Sequence, residues 1–242
     1  MKSNTPPHKP LKQKAYGSIP HLPGSRRGPG DKGLSVDQAR ICTTKARDRH
    51  DVIVVQEKLD GSCVAVAKIE SRIVPLIRAG YEAANSNYPQ HHLFAAWVFE
   101  RWDLFAAILQ EGEWLVGEWL AQAHGTRYIL PHEPFVAFDL MRGSEQARER
   151  TFLDEFMDRI AGRLPTPRLI HRGGPLTIEA ALEILEPSGH GALDPVEGAV
   201  WRVERKGVVD FLGKFVRPEK VDGCYLPEIA NCEPYWNWRP TC

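Results

Sequence analysis

Short runs of apolar and often β-branched residues alternate with polar residues along most of the chain. Three of these runs lie within residues 51–80: "DVIVV", "SCVAVAKI" and "RIVPLI". Four more follow: "EWLVGEWL", "FVAFDLM", "GAVWRVER" and "GVVDFLGKFVR". Runs of this length and composition, separated by turn-forming residues, predict β-strands.

Longer segments between the strands have apolar residues at helical spacing. The clearest stripe consists of Phe94, Trp97, Val98, Trp102, Phe105 and Leu109. It predicts one helix over 91–109 that packs on the core. Shorter helices are predicted around Phe152, Phe156 and Ile160 and in "TIEAALEIL". Because strands outnumber helices, and helices interrupt them without regular alternation, the pattern favours an α+β fold with largely antiparallel sheets.

Composition divides the chain into three parts. Residues 1–33 contain six Pro, five Gly and seven Lys or Arg, which predicts an extended basic arm. Residues 34–220 contain the predicted strands and helices and form the candidate domain. Residues 221–242, with several Pro and Trp, are expected to pack on that domain as a tail.

Charge and cysteine content limit the classes of partner. The chain has 31 basic and 31 acidic residues, so its formal net charge is zero. A nucleic acid would therefore need a local basic patch such as the arm, although a solvated basic loop explains the same composition. There is no membrane-length apolar run and no signal-peptide core, and the five cysteines include no Cys-x-x-Cys pair. These features predict a cytoplasmic protein with reduced thiols and no membrane partner.

Charged residues interrupt the predicted strands at positions surrounded by apolar ones. Glu118 lies within "WLVGEWL", Lys214 within "FLGKFV", and Asp139 directly after "FVAF". Glu197 precedes "GAVW", and Lys58 precedes "LDG". Each charge alone could lie at a strand end and reach solvent. Five together predict a polar cleft lined by several strands, because an unpaired buried charge is costly.

A lysine in such a cleft is a candidate nucleophile. Its amine reacts only when neutral, and burial or a neighbouring cation lowers its pKa toward that state. Lys214 and Arg78 are candidate neighbouring cations for Lys58. Asp60 and Glu197 could hold a divalent metal against a triphosphate. The natural electrophile is then a nucleotide α-phosphate, with pyrophosphate as the leaving group and a lysyl phosphoramidate as the product.

The segment "EKLDG" resembles motif I, Lys-x-Asp-Gly, of the covalent nucleotidyltransferase superfamily of ATP-dependent DNA and RNA ligases and mRNA-capping enzymes. Five later segments resemble further motifs in the same order: "IRAGY" motif Ia, "VGEWL" motif III, "FVAFDL" motif IIIa, "EGAVWR" motif IV and "LGKFVR" motif V. Lys-x-Asp-Gly alone is a weak signal, whereas six ordered motifs across residues 57–217 are specific. The resemblance implies a nucleotidyltransferase (adenylation) domain, with antiparallel sheets flanking a nucleotide cleft and helices at the periphery.

The resemblance also implies a role for each matching residue. Lys58 would take AMP covalently, and Lys214 would contact the α-phosphate. Glu197 would bind the catalytic Mg²⁺ or Mn²⁺. Six residues would hold the nucleoside of ATP: Glu57 and Leu59 with their backbone at the adenine edge, Phe138 and Val200 against the base, and Arg78 and Glu118 at the ribose.

Two positions depart from the RNA-ligase pattern. Motif V often reads Lys-x-Lys, and here Leu212 takes the first position, with Arg217 as a candidate source of the missing charge. Leu212 thereby puts the leaving-group chemistry or the second step in question. Cys63 stands where many RNA ligases have asparagine, and we interpret it as a small buried hydrophobe.

The length of chain after motif V separates the classes within the superfamily. Only 25 residues follow Arg217, too few for the OB-fold domain of capping enzymes and most DNA ligases. The lead-in "YGSIPHLPGSRRGPGDKGL" also resembles small bacterial RNA-ligase-like proteins. Both features favour an ATP-dependent RNA ligase without an OB-fold domain, acting on RNA ends or nicks, and leave room for a separate end-recognition protein. The alternatives are a DNA or hybrid nick ligase, and a family member that binds ATP or RNA without sealing.

Three histidines near the motifs receive a structural interpretation. His91 and His92 are adjacent and therefore face different directions on a helix, and both are predicted to lie at the surface. His124, in "AQAHGTRY", follows Glu118 closely and could meet substrate, although a loop role is favoured.

Overall fold

Two antiparallel sheets form the centre of the chain in this computed structural model, which describes residues 9–144 and 147–240. The first sheet contains, in spatial order, β7 (Leu169–Gly173), β1 (Asp51–Lys58), β8 (Gly198–Arg205) and β9 (Val208–Val216). The second contains β3 (Arg72–Ile77), β2 (Ser62–Ile69), β4 (Trp114–Trp119), β5 (Phe135–Gly143) and β6 (Arg148–Arg150). Every neighbouring pair is antiparallel, so the predicted α+β class is confirmed.

Helices cover the outer faces of the sheets. In chain order they are α1 (Val36–Thr43), a 3₁₀ turn (Ala83–Asn85), α2 (Pro89–Glu100), α3 (Trp102–Ile108), α4 (Leu153–Ile160), α5 (Ile178–Glu183) and α6 (Pro227–Ala230). Side chains of α2, α3 and α4 share one buried cluster with the second sheet. Side chains of α1 and α5 share another with the first sheet. No helix among residues 9–144 and 147–240 has the length and hydrophobicity to cross a membrane.

The predicted helix over 91–109 is two helices rather than one. The chain breaks at Arg101, where φ is −115°. The Arg101 guanidinium lies over the ring of Trp97 at 4.6 Å and pairs with Glu133. Most of the apolar stripe is buried as expected, but Trp102, just after the break, is 37% exposed.

The segment before α1 differs from the expected extended arm over its described part, residues 9–33. Ala15, Tyr16 and Leu22 are buried. Ala15 and Tyr16 pack on the face of the second sheet opposite α2, α3 and α4, and Leu22 packs with the first sheet. The backbone N–H of Lys214 donates to the carbonyl of Pro20 at 2.9 Å, and that of Leu22 donates to the carbonyl of Lys214 at 2.8 Å. Its Pro and Gly residues make the segment irregular, but its apolar side chains still bury. Residues 1–8 lie outside the described residues.

Gly80 lets this segment approach the turn after β3. Its φ is +90°, a left-handed value that glycine adopts without strain. A Cβ at this position would overlap the carbonyl oxygen of Gln13. The glycine of the motif Ia segment therefore keeps the N-terminal segment in contact with the second sheet.

The described part of the C-terminal tail, residues 221–240, also packs on the domain. Asn237 donates through its side-chain amide to the carbonyl of Leu120 at 2.8 Å and accepts from the N–H of Tyr128 at 2.9 Å. The Trp238 ring lies 6.0 Å from that of Trp119, at an interplanar angle of 70°. Cys242 lies outside the described residues.

Candidate active site

A cavity of about 680 Å³ opens between the two sheets and is lined by strands of both. Its walls come from the ends of β1, β8 and β9 on one side and from β2, β4 and β5 on the other. The N-terminal segment closes one side with residues 16–19. The cavity therefore depends on three parts of the chain that are distant in sequence.

Lys58 ends β1 and lies in this cavity. In the register of β1 and β8, Lys58 is opposite Gly198, which brings its side chain beside Glu197. Its Nζ donates to Glu197 Oε2 at 2.5 Å, and the Lys58 side chain is 21% exposed. Burial alone would lower the pKa of Lys58, but the carboxylates of Glu197 and Glu118 outweigh burial and raise it. In this state the candidate nucleophile is held as an ammonium ion.

Glu118 lies across the cavity from this ion pair, on β4. The N–H of Gly61 donates to its Oε1 at 3.1 Å. A Cβ on Gly61 would lie 2.5 Å from the carbonyl oxygen of Trp119, so the glycine of motif I permits this close approach. Burial raises the pKa of Glu118 to about 7, while the charge of Lys58 opposes that rise. Near neutral pH, the protonation state of Glu118 is therefore sensitive to a hydroxyl or a cation that binds beside it.

Asp60 does not share a metal-like arrangement with Glu197 in this structure. Its Oδ2 accepts from the N–H of Gly125 at 2.9 Å and from the Thr126 hydroxyl at 3.2 Å. It also pairs with Lys220 Nζ at 3.0 Å. The sequence pattern did not identify Lys220. Asp60 here fixes the loop after β4 against the motif I turn.

Two expected cations line the cavity. Lys214 lies on β9, opposite Val200 of β8, and burial together with the nearby charge of Lys58 lowers its pKa. Arg78 follows β3 and donates to the carbonyl of Gly17 and the hydroxyl of Ser18, both at 3.1 Å. Arg217, the candidate replacement for a motif V lysine, is elsewhere: its guanidinium pairs with Glu186 at 3.4 Å.

The end of the cavity lined by Phe138, which we call the base end, is apolar and aromatic. Phe138 is the extra residue of a β-bulge, because Val116 pairs with Asp139 while Gly117 pairs with Ala137. A bulge re-aims the side chain it contains, and Phe138 lines the cavity with Val200 and Leu212. The face of a ring and two aliphatic side chains suit a flat base.

Asp139 also lines the cavity at this end, but its carboxylate is paired with protein groups. It accepts from the Tyr16 hydroxyl at 2.5 Å and pairs with Arg202, and Arg150 lies at 3.3 Å. The Tyr16 ring also packs edge-on against Phe138, with centroids 5.2 Å apart. A tyrosine from the N-terminal segment therefore supports the bulge, which the sequence pattern gave no reason to expect.

The remaining predicted nucleoside residues take different positions. Glu57 is buried, and its carboxylate accepts from the Ser188 hydroxyl at 2.5 Å and the N–H of Gly189 at 2.8 Å. Its side chain therefore orients the loop before β8, and its backbone N–H donates to the carbonyl of Arg168 at 3.0 Å. Leu59 and Cys63 line the cavity, and Cys63 is half-buried.

The prediction that His91 lies at the surface is wrong. His91 lines the cavity together with Ser62 and His124, while His92 is exposed. Adjacent residues on a helix point about 100° apart, so only one of the pair can face inward. The sequence shows that the two histidines are adjacent, but it does not show which of them faces the cavity.

The donor set near Lys58 fits a Mg²⁺ or Mn²⁺ ion held partly by its substrate. No group of three or more His, Cys, Asp or Glu within residues 9–144 and 147–240 is arranged to hold a metal. Mg²⁺ usually needs only one or two protein carboxylates, together with waters and phosphate oxygens. Glu197 meets that requirement, whereas the described contacts of Asp60 are already those of a structural carboxylate.

Sequence comparison places this geometry in a family. The RNA ligase family model matches residues 51–216. This range includes every residue assigned above to a nucleotide or a metal. No curated protein matches the chain.

Several solved structures are similar to this one. A Naegleria gruberi RNA ligase mutant with ATP and Mn matches with a TM-score of 0.51 and 15% identity, over 84% of this chain and 61% of that one. Form 2 of an archaeal ATP-dependent RNA ligase has a TM-score of 0.41 and 19% identity, over 69% and 42% of the two chains. A putative ATP-dependent DNA ligase from Aquifex aeolicus has a TM-score of 0.44 and 17% identity, over 68% and 43%. This chain thus spans less than two thirds of each of these proteins.

Proposed function

Because the chain belongs to the RNA ligase family, we propose that it is an ATP-dependent RNA ligase that works through a lysyl-AMP intermediate on Lys58. The observation that carries the proposal is the position of this lysine. It lies in the cavity between the sheets, paired with Glu197, with Lys214 on the same wall and an apolar base-sized end beyond. A surface lysine would have none of these neighbours.

In the first step, Lys58 Nζ forms a bond to the α-phosphorus of ATP and the bond to pyrophosphate breaks. Nζ must lose a proton before it attacks, and Glu197 at 2.5 Å stabilises the protonated form. Neutralising or displacing the Glu197 carboxylate therefore favours the reactive amine. The fixed charge of Lys214 would stabilise the phosphoryl oxygens during transfer.

Glu197 is the residue we propose for the metal. The Naegleria gruberi RNA ligase was solved with ATP and Mn, and we propose ATP with Mg²⁺ or Mn²⁺ here. Such an ion supplies positive charge against the triphosphate. Phe138 and Val200 would hold the adenine, and Glu118 with Arg78 the ribose, with Glu118 accepting from a hydroxyl.

In the second step an oxygen of a 5′-phosphate bonds to the phosphorus of AMP, the bond from that phosphorus to Lys58 Nζ breaks, and Nζ takes up a proton from water. In the third step AMP leaves from the 5′-phosphate phosphorus. In sealing, the 3′-hydroxyl oxygen bonds to that phosphorus while the bond to AMP breaks, and the hydroxyl proton passes to water. Two alternatives remain distinct from this proposal: a DNA or hybrid nick ligase, and a protein that binds ATP or RNA without sealing. The second is favoured by Leu212, because the cation expected there is absent and Arg217 is paired with Glu186 instead.

Covalent adenylation is the decisive measurement. Incubated with ATP and Mg²⁺, the wild-type protein should gain the mass of one AMP, and Lys58→Ala should not. Lys45→Ala, at an exposed position, is the matched control and should label normally. Glu197→Ala should label more slowly because it removes the proposed metal ligand, and losing the cation that offsets the triphosphate charge outweighs the easier deprotonation of Lys58. Glu118→Ala should label more slowly because it removes the proposed ribose contact. Intact-mass spectrometry reads all five proteins, and a wild type without an adduct contradicts the proposal.

The choice of RNA over DNA is tested separately. Pre-adenylated nicked duplexes with RNA or DNA on the 3′-hydroxyl side bypass the first step. Sealing should require RNA on that side, since a protein distinguishes the two by the 2′-hydroxyl or by A-form shape. The assay is run at low salt, where phosphate contacts are strongest. Equal sealing of an all-DNA nick would favour the DNA alternative and leave adenylation of Lys58 standing.

A further inference from the structure

Four polar side chains form a cluster at the end of the cavity away from Phe138. His91 Nε2 lies 3.4 Å from the Ser62 hydroxyl, and His124 Nε2 lies 3.5 Å from the same oxygen. The side-chain amide of Gln90 lies 3.3 Å from His124 Nε2. Ser62 and Gln90 are buried, and both histidines are half-buried. None of the four has a role in the reaction proposed above.

The start of α2 holds His91 in this direction. Its Nδ1 is 2.7 Å from the Ser86 hydroxyl, which also accepts from the N–H of Tyr88 at 3.2 Å. The Tyr88 ring meets the imidazole edge-on, with centroids 5.6 Å apart. Fixing Nδ1 from outside the cavity leaves Nε2 to face Ser62 and whatever occupies the cavity. Such support is typical of a binding residue and is more than a surface histidine needs.

The cluster suits a hydroxyl-bearing group better than a phosphate. Burial lowers the pKa of His91 to about 4, and it also lowers the pKa of His124. A neutral imidazole offers one donor and one acceptor, as a sugar hydroxyl does. The hydrogen-bond partners of both rings within the described residues are uncharged.

The position of the cluster along β4 identifies which sugar it would meet. The Phe138 bulge is level with Val116 and Gly117, Glu118 follows next, and the chain then leads through Trp119 to His124. Ser62 pairs with Trp119 at this end. The Phe138 bulge, then Glu118 with the charge of Lys58 close to it, and then the cluster therefore follow one another along β4. In an in-line displacement the attacking oxygen approaches from the side opposite the leaving AMP.

We infer that His91 and His124, with Ser62 and Gln90, bind the terminal ribose of the strand that supplies the 3′-hydroxyl, and that they contact its 2′-hydroxyl. The inference rests on the proposed function and assigns a specificity site to it. The observation that supports it is that Nε2 of two half-buried histidines lies within hydrogen-bond distance of the Ser62 hydroxyl, in the same cavity as Lys58.

The test uses a pre-adenylated nick in which only the 3′-terminal sugar changes, from ribose to 2′-deoxyribose. Wild-type protein should seal the ribose junction faster. His91→Asn and His124→Asn should lower the ribose rate about tenfold, the equivalent of one or two lost hydrogen bonds, and should lower the deoxyribose rate far less. The preference for ribose therefore falls. His50→Asn, at an exposed histidine outside the cavity, is the matched control and should keep the wild-type preference.

Adenylation of Lys58 with ATP is measured on the same variants. A loss in adenylation as large as the loss in sealing would overturn the inference, because the cluster would then serve the nucleotide. Equal losses on ribose and deoxyribose, or no loss, would also overturn it. If wild type adenylates Lys58 but seals neither junction, the acceptor site fails while the first step of the proposed function stands. If wild type seals both but does not adenylate, the proposed function fails at its first step.

Discussion

Removing one hydroxyl from the N-terminal segment should destabilise the whole domain. Tyr16→Phe keeps the ring that packs on Phe138 but loses the O–H that donates to Asp139 at 2.5 Å. The hydroxyl is buried with its acceptor, so water cannot replace it easily. The substitution therefore isolates one hydrogen bond in the network that supports the base end of the cavity.

The size of the effect follows from what remains around Asp139. A hydrogen bond to a charged group contributes about 1.5–3 kcal/mol. Arg202 and Arg150 still pair with Asp139 in the variant, so its charge stays compensated and we expect a loss of about 2 kcal/mol. Asp139→Asn should cost more, about 3–5 kcal/mol, because the Arg202 side chain is only 4% exposed and would lose its counter-charge.

Urea unfolding at neutral pH measures both losses as changes in the free energy of unfolding. Tyr81→Phe, at a half-buried tyrosine outside this network, is the control and should change stability by less than about 0.5 kcal/mol. The reasoning is refuted if Tyr16→Phe costs no more than Tyr81→Phe. It is also refuted if Asp139→Asn costs less than Tyr16→Phe, because the network would then not depend on its central charge.

Two further predictions concern stability. Gly80→Ala should lower the free energy of unfolding, measured in urea, by roughly 3 kcal/mol, because its Cβ would overlap the carbonyl of Gln13. Gly112→Ala, also at positive φ but with open space around it, is the control and should cost only about 1 kcal/mol. Equal costs would contradict the role given to Gln13. Burial, and then the His132 ring, lowers the pKa of His190 from 6.5 to about 4, so below about pH 6.5 the unfolded chain binds a proton that the native protein does not, and stability should fall as the pH drops toward 4. His190→Gln should reduce that fall, and an unchanged pH dependence of unfolding would show that another group causes it.

The strands and the charged residues of the cavity could be predicted because both are local signals. Alternating apolar residues predict a strand, and a charged residue within such a run is recognisable because its neighbours are apolar. Lys58, Glu118 and Lys214 were recognised in this way, and the structure gathers them in one cavity. Asp139 gave the same signal for a different reason. Its partners Tyr16 and Arg202 are 123 and 63 residues away, and no local pattern links them.

The burial of the N-terminal segment and the histidine cluster were not predicted. Amino-acid composition indicates whether a segment is regular or irregular, but it does not show which of its side chains are buried. Pro and Gly do make residues 9–33 irregular, yet Tyr16 and Leu22 are buried. Because His91 and His92 are adjacent on a helix, only one of the two side chains can face inward. Which one does so depends on the rotation of α2 against the sheet, and in the structure the Ser86 hydroxyl lies 2.7 Å from Nδ1 of the inward-facing His91.

The two ends of the cavity differ in the kind of interaction that holds them, and this bears on how specificity can change. The base end rests on buried ion pairs around Asp139, where losing one partner costs several kcal/mol. At the opposite end, the side-chain contacts of His91 and His124 are neutral hydrogen bonds with Ser62, Ser86 and Gln90, each contributing about 1 kcal/mol. Substitutions at the histidine end therefore cost little stability. We expect the choice of acceptor sugar to be easier to alter by mutation than the choice of base.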